Sequence, residues 1–424
     1  LKKVLIISPY FPPANAADMQ RIRMSLPYYK EFGWEAEVVT CLPQYYDGST
    51  DNLLLKSLPT NLKIHYVKAF SKKITRKIGL GSLALRSIYF FRKKVNQLLT
   101  KEKYDLIYFS TTQFPVCILG AYWKKKFRVP YVIDMQDPWH SDYYLDKPKN
   151  EQPPKFWFSY RLNKFLEPIA MKHVDGLIAV SSQYNIELVE RYKLNIPTAT
   201  ITFGAFDKDI EIAKENKHIA EPILFNCDKI NVGYIGRGGH DMREALELLF
   251  KHFNDFLNED LDYFNQFHFN FIGTSYAPKG KGQQTVFPLA KKMKLENFVE
   301  EQTDRIPFYQ TLNTLIEFDI LFICGSNDKK YTASKIYPYL MLEKPLLAIF
   351  HEESSAVEII NKCSNATVIT FQDTELTQKQ KLIKFLKQYK SQDFSLNKSE
   401  FKQYTAKSMT LAQVNLFKDI NGNS

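Results

Sequence analysis

Thr332-Ala333-Ser334-Lys335-Ile336-Tyr337-Pro338-Tyr339-Leu340-Met341-Leu342-Glu343-Lys344-Pro345-Leu346-Leu347-Ala348-Ile349-Phe350 is the stretch around which the rest of the chain is ordered. A polar loop, Cys324-Gly325-Ser326-Asn327-Asp328, leads into it. Ser334 is placed to cap a short helix that closes near Glu343-Lys344-Pro345. The apolar run that follows suits a strand buried on both faces. Lys335 falls in the first turn of that helix, where the macrodipole disfavours a cation. Unpaired N–H groups at the same end suit a phosphate. A lysine set against its own helix is either a solvated side chain or part of an anion site.

Outward from there, the same strand–loop–helix grammar covers most of the chain. Residues 3–8, 35–40, 63–67, 105–110, 130–134 and 176–180 read as strands, with helices such as 19–32 between them. A second series has strands at 230–235, 267–272, 298–301, 319–324, 346–350 and 367–370. Asp241 is expected to cap the helix 242–257, and Pro307 to open the helix 308–317. This alternation predicts two Rossmann-like, doubly wound parallel α/β domains facing a cleft. The expected boundaries are an N-terminal domain at 1–206, a polar linker at 207–228, a second domain at 229–395 and a helical segment at 396–424 that returns to the first domain.

With 424 residues the chain exceeds one core, and 32 Phe and 25 Tyr supply large side chains to bury. The five cysteines are widely spaced, with no paired or zinc-binding pattern, which fits reduced thiols in a cytoplasm. No apolar run reaches the length of a membrane span. A net charge of +11 calls for an anionic partner. The cations concentrate between residues 68 and 103, where Lys72, Lys73, Arg76, Lys77, Arg86, Arg92, Lys93, Lys94 and Lys101 meet a single acid, Glu102. Ala84, Ile88, Phe91, Val95 and Leu98 form an apolar stripe there, and Phe90 falls among the basic residues. Such a stretch is either an ordinary solvated face or a contact with an anionic membrane. Its aromatics do not form a base-stacking sheet, so nucleic acid is not the expected partner.

Ligands of doubly wound sheets bind beyond the carboxyl ends of strands. The residues placed there in the first half include Asn15, Thr111, Gln113, Asp134 and Asp137, with Ser181 and Ser182 as helix caps. In the second half they are Gly236-Arg237-Gly238-Gly239, then Arg243, Ser334 and Lys335. Glycine amides, two helix N-termini and three cations make a diphosphate site. The chain has no Walker A, no Gly-x-Gly-x-x-Gly, no His-Glu-x-x-His and no Gly-x-Ser-x-Gly.

The order of these pieces resembles a GT-B glycosyltransferase of the family-4 type, in the version found in some bacterial surface-polysaccharide enzymes. Residues 4–13 resemble its first strand and loop, and 129–139 its "P-x-V … D-x-W" stretch. Residues 232–237 are similar to its "Y-x-G-R" strand, and 334–348 to its "S-K-x-x-E-Y-L-x-x-G-K-P" element. The resemblance implies a nucleotide-sugar donor, UDP- or GDP-linked, in the C-terminal domain and an acceptor in the N-terminal one. It also implies retention of anomeric configuration, with no metal and no other cofactor. Carried over to this chain, the catalytic candidates are Arg237, Lys335 and Asp137. The donor-binding set is Gly236, Gly238, Gly239, Arg243, Ser334 and Glu358, and the acceptor side holds Asn15, Thr111 and Gln113. The chain departs from the pattern where Pro338 replaces the ribose-binding glutamate and Lys330 the earlier glutamate of the pair. Ala14-Asn15-Ala16-Ala17 stands in place of a glycine-rich first loop. Two readings stay open: a hexosyltransferase acting on a polysaccharide or lipid-linked acceptor at the inner membrane face, or a GT-B protein that binds a sugar nucleotide without turnover.

Overall fold

The structure is a computed structural model describing residues 1–140, 142, 145, 146, 148, 149, 152, 155–327 and 335–422. The chain divides into two compact units, Leu1–Gly204 with Ala406–Ser424, and Ala205–Thr405. Each is built on one parallel sheet.

In the first unit the strands are β1 (Lys2–Ile7), β2 (Trp34–Cys41), β3 (Lys63–Val67), β4 (Leu106–Ser110), β5 (Tyr131–Met135), β6 (Gly176–Ala179) and β7 (Thr198–Thr200). Their order is β3-β2-β1-β4-β5-β6-β7, all parallel. Val4, Leu5, Ile6 and Ile7 are fully buried, as a strand covered on both faces requires. The helix Leu83–Lys101 lays Ala84, Phe91 and Val95 onto this core. The C-terminal helix Ala406–Gly422 belongs to the same unit, where the Phe417 ring packs among Tyr29, Trp34 and Tyr108. Gln413 on that helix accepts from the Tyr29 hydroxyl at 2.5 Å and donates to Ser25 Oγ at 3.0 Å.

Asp134, expected only to tie down a turn, is fully buried in a 2.7 Å ion pair with Arg21. Tyr108, Ser110 and Gln136 also donate to it. Arg21 spends its remaining donors on the carbonyls of Ile201 and Thr202. The side chains that donate to Asp134 all converge on its Oδ2, while Oδ1 and the Arg21 Nε have no hydrogen-bond partner, so the buried pair rests on the charge attraction and on this one-sided set of bonds. The expected helix 19–32 is shortened to Gln20–Ser25, because Pro27 follows and the chain turns instead.

The second unit contains β8 (Ile230–Ile235), β9 (Phe267–Ile272), β10 (Val299–Gln302), β11 (Ile320–Cys324), β12 (Leu346–Phe350) and β13 (Thr367–Thr370). The order is β10-β9-β8-β11-β12-β13, again all parallel. The helix Arg243–Glu259 buries Ala245, Leu246, Leu249, Phe250, Phe253, Phe256 and Leu257 at helical spacing against phenylalanines of β9. Each fully buried aromatic contributes about 1.5–3 kcal/mol.

Residues 207–228 do not behave as the expected linker. Asp207–Glu215 is a helix that buries Ile212 and Ala213 against the helix Phe308–Glu317. Tyr309 donates to Asp209 at 2.9 Å, and Asn313 donates to the carbonyls of Ala213 and Ala220. The apolar positions are too few to stand out among the charges, yet a neighbouring helix completes them.

The basic stretch also differs from expectation at two residues. Arg86 is buried, donating to the carbonyls of Tyr45 and Phe70 and to Asp47, each at 3.1 Å. Phe90 is part-buried on the core, its ring 4.9 Å from that of Phe70. Among the described residues no helix is long and apolar enough to cross a membrane.

Candidate active site

In each sheet the strand order reverses once, between β1 and β4 in the first unit and between β8 and β11 in the second. Loops leaving the carboxyl ends of those strands flank the crevice where doubly wound folds bind ligands.

In the second unit, the Ile235 amide at the end of β8 donates to the Tyr339 hydroxyl at 3.0 Å, tying the helix Ile336–Met341 to this loop. The Gly236 amide goes to Ile272 O and the Gly238 amide to Thr274 O. Tyr234 donates its hydroxyl to the Arg237 carbonyl at 2.9 Å. Lys335 reaches over this turn, its Nζ 3.5 Å from the Tyr234 hydroxyl and 5.3 Å from the ring centroid. A Cβ at Gly236 would collide with Lys335 Nζ, so a glycine is needed there for the ammonium to sit where it does. Burial, aided by the nearby Arg305 and Arg237 charges, lowers the Lys335 ammonium to about 8. Among the described residues no carboxylate pairs with it.

The other expected donor-side residues are placed as follows. Arg237 forms an ion pair with Asp241, so Asp241 does not cap a helix; the α-helix starts at Arg243, after a short 3-10 turn. Arg243 pairs with Glu247 at 2.7 Å along its own helix. Glu358 is exposed on the helix Ser355–Cys363 and pairs with Lys362 at 2.6 Å. The Gly238 turn packs closely on Thr274 and Val286, and Thr285 donates to the Gly238 carbonyl. Ser334, together with Lys330, lies outside the described residues. Arg305 is a cation that sequence reasoning missed. It follows β10, stacks over Tyr276 at 5.0 Å and acts on the Lys335 charge. Its place just beyond a strand's carboxyl end was the available signal.

In the first unit, Thr111 donates to the buried Asp18 carboxylate at 3.0 Å, and the Thr112 amide donates to it at 3.1 Å. The Thr111 oxygen accepts from the Gln113 amide, while Gln113 Oε1 accepts from the Ala84 amide at the start of the helix Leu83–Lys101. Thr111 and Gln113 therefore brace the loops rather than leave their polar atoms idle. The Asn15 amide bonds to Ser49 O. Beside these loops is a cavity of about 510 Å³ whose lining includes Thr112, Gln113, Asp137, Trp139, Phe158 and Asn163. Asp137 is exposed and lines this cavity, and desolvation, then the Asp18 charge, raises its carboxyl above the ordinary value. Ser181 stands at the N-cap of the helix Ser182–Tyr192, without a side-chain cap bond. Among the described residues no cluster of three His, Cys, Asp or Glu side chains is placed to hold a metal ion.

Residues 59–202 match the model of Glycosyltransferase Family 4. This part of the chain is similar to a family-4 domain. The whole chain is similar in fold to solved GT-B structures: sucrose-phosphate synthase from Thermosynechococcus elongatus has a TM-score of 0.63 at 12% identity, covering 100% of both chains. Anabaena HepE, solved in complex with UDP and glucose, has a TM-score of 0.54 at 17% identity, over 100% of this chain and 98% of that one. WaaG, a glycosyltransferase involved in lipopolysaccharide biosynthesis, has a TM-score of 0.52 at 13% identity, over 99% and 98%. No curated protein sequence matches. The family-4 match covers β3 to β7 and so includes Asp137, Thr111 and Gln113; Lys335 and Arg237 lie beyond it.

Proposed function

We propose that the chain is a retaining, metal-independent glycosyltransferase that moves a hexose from a nucleotide sugar to a saccharide or lipid-linked acceptor at the cytoplasmic membrane face. The observation that carries this reading is the Lys335 ammonium. It is held at the reversal point of the second sheet with no carboxylate paired to it among the described residues, a place that suits a bound anion. A donor diphosphate is that anion. Cleavage of the sugar–phosphate bond builds negative charge on the leaving diphosphate, and Lys335, Arg237 and the Gly239 amide region stabilise it as it forms. Arg305 adds a further positive charge to the same place. The cavity at Asp137 takes the acceptor, and a carboxyl raised by desolvation suits the exchange of a proton with an acceptor hydroxyl. The complexes of HepE with UDP and with UDP-glucose support UDP-glucose as the first donor to try. The exposed lysines of residues 68–103, Lys73, Lys77 and Lys93 among them, fit an anionic membrane surface.

A second reading is favoured by Pro338, which lies inside the helix Ile336–Met341 where the family places a ribose-binding carboxylate. In that reading the chain binds a sugar nucleotide without turning it over. A thermal-shift panel of UDP-, GDP- and dTDP-sugars, followed by an assay for released nucleotide with and without saccharide acceptors, tests both. A shift with release supports transfer, and a shift without release supports the binding protein. No shift with any nucleotide contradicts both.

A further inference from the structure

We infer that the outward face of the helix Phe156–Met171 is a second membrane-contacting element, which lies on an anionic lipid surface beside the 68–103 stretch. This rests on the membrane-facing reading above but concerns a part of the chain that reading does not use.

The helix buries Leu166, Ala170 and Met171 inward. On its other side Trp157 is 64% exposed, Phe165 68% and Ile169 39%. Soluble surfaces seldom carry large apolar side chains grouped this way along one face without a partner. The polar residues between them are cations. Arg161 and Lys164 are exposed, as is Lys172 just past the end of the helix. The Arg161 guanidinium lies 5.7 Å from the Trp157 ring centroid. The one acid of the helix, Glu167, is buried, accepting from Arg191 at 2.8 Å, Tyr192 at 2.6 Å and the His140 amide at 3.0 Å. Among the described residues the exposed face therefore presents aromatic and aliphatic groups with Arg161, Lys164 and Lys172 beside them, and the carboxylate at its edge, Asp142, accepts from the Tyr160 hydroxyl at 2.7 Å. That is the charge complement of an anionic bilayer, whose interface accepts tryptophan and phenylalanine between headgroups.

The face is continuous with the basic stretch. The Phe158 ring packs on Gly79, where an added Cβ would come within 2.9 Å of Cζ. Phe70, Ile74 and Tyr89 are further exposed apolar side chains of that stretch. The 510 Å³ cavity is lined from both sides of this junction, by Arg76 and Gly81 on one and Lys155 and Asn163 on the other. A chain seated on lipid by both elements has the cavity next to the headgroups, where a lipid-linked acceptor would present its sugar.

The tryptophans supply the test. Trp34, Trp123 and Trp139 are 1%, 0% and 5% exposed, so acrylamide quenching of the full chain reads Trp157. Vesicles of phosphatidylcholine alone should leave quenching unchanged, whereas vesicles containing phosphatidylglycerol should shift the emission to the blue and cut quenching several-fold. Trp157→Phe should remove this signal while the protein still sediments with the vesicles. Trp157→Ser combined with Phe165→Ser should weaken sedimentation roughly tenfold with an unchanged Tm. If the protein sediments with anionic vesicles while Trp157 stays fully quenchable, the helix face is not in the contact and the 68–103 reading stands alone. Failure to sediment with anionic vesicles overturns both. Protection that grows with protein concentration in the absence of lipid marks self-association through this face and overturns the lipid assignment.

Discussion

The Lys335 ammonium rests 3.5 Å from the Tyr234 hydroxyl, above a glycine that cannot carry a side chain without displacing it. The loop after β8 and the helix Ile336–Met341 are held together by the bond between the Ile235 amide and Tyr339, so the lysine is positioned by two elements rather than one. The arrangement opposes stability, because burial and two neighbouring guanidinium groups disfavour the charge. Such a cost is expected where a ligand supplies the missing charge.

The pH dependence of stability follows from that cost. The ordinary lysine value is 10.5 and the folded value is about 8. Between them the unfolded chain holds a proton that the folded chain does not, so this group makes stability rise with pH across that window. Below about pH 8 the penalty is present in full. Lys335→Met should therefore raise Tm at pH 7 and flatten the rise in Tm above pH 8, measured by calorimetry. A lower Tm for the variant at pH 7 would show that the ammonium is a structural contact.

Arg237→Ala should lower kcat/KM for nucleotide-sugar turnover by about 10²–10³-fold, the usual loss when a charge-stabilising donor is removed. Its Tm should barely move, because the pair with Asp241 is part-exposed and links neighbouring turns. Steady-state assays and thermal melts on the same preparation separate the two effects. Full activity in the variant would remove Arg237 from the site.

Asp137→Asn should reduce transfer by about 10²–10⁴-fold while leaving the nucleotide-induced thermal shift intact, since the carboxylate lines the cavity proposed for the acceptor. Loss of nucleotide binding in this variant would place Asp137 on the donor instead.

Much of the fold was legible because the parallel strands are buried on both faces and so read as unbroken apolar runs, as in Val4-Leu5-Ile6-Ile7 and Leu346-Leu347-Ala348-Ile349-Phe350. Thr198–Thr200 escaped notice because an edge strand of three polar or small residues has no such signature. Gly236 and Lys335 were both recognisable from the order of loops at strand ends, but their mutual contact was not, being a matter of side-chain reach across 99 residues of sequence. The same limit hid the partners of Arg86 and Asp241. Arg86 looked outward by helical spacing until Asp47 and two carbonyls drew it in. Asp241 stood at a capping position, yet the guanidinium one turn earlier is the stronger partner. Arg305 carried no motif at all, and only the strand order shows that it ends a neighbour of β9.

The ion pair of Arg21 with Asp134 gives a stability prediction independent of chemistry. Arg21→Met leaves a buried carboxylate without its cation, which should cost about 3–5 kcal/mol. Urea unfolding followed by fluorescence should show a transition at lower denaturant. A loss below about 1 kcal/mol would mean that Tyr108, Ser110 and Gln136 alone suffice for Asp134.

The central claim is that Lys335 anchors a donor diphosphate. Isothermal titration of UDP-glucose, with UDP and GDP alongside, into the wild-type chain and Lys335→Met tests it most directly. At pH 7 the variant should bind at least about tenfold more weakly, the loss of roughly one charge-assisted contact. Just above pH 8, wild-type binding should take up protons, seen as a heat that varies with buffer ionisation, because the diphosphate restores the ammonium. Equal affinities in wild type and variant, with no proton uptake, would contradict the account.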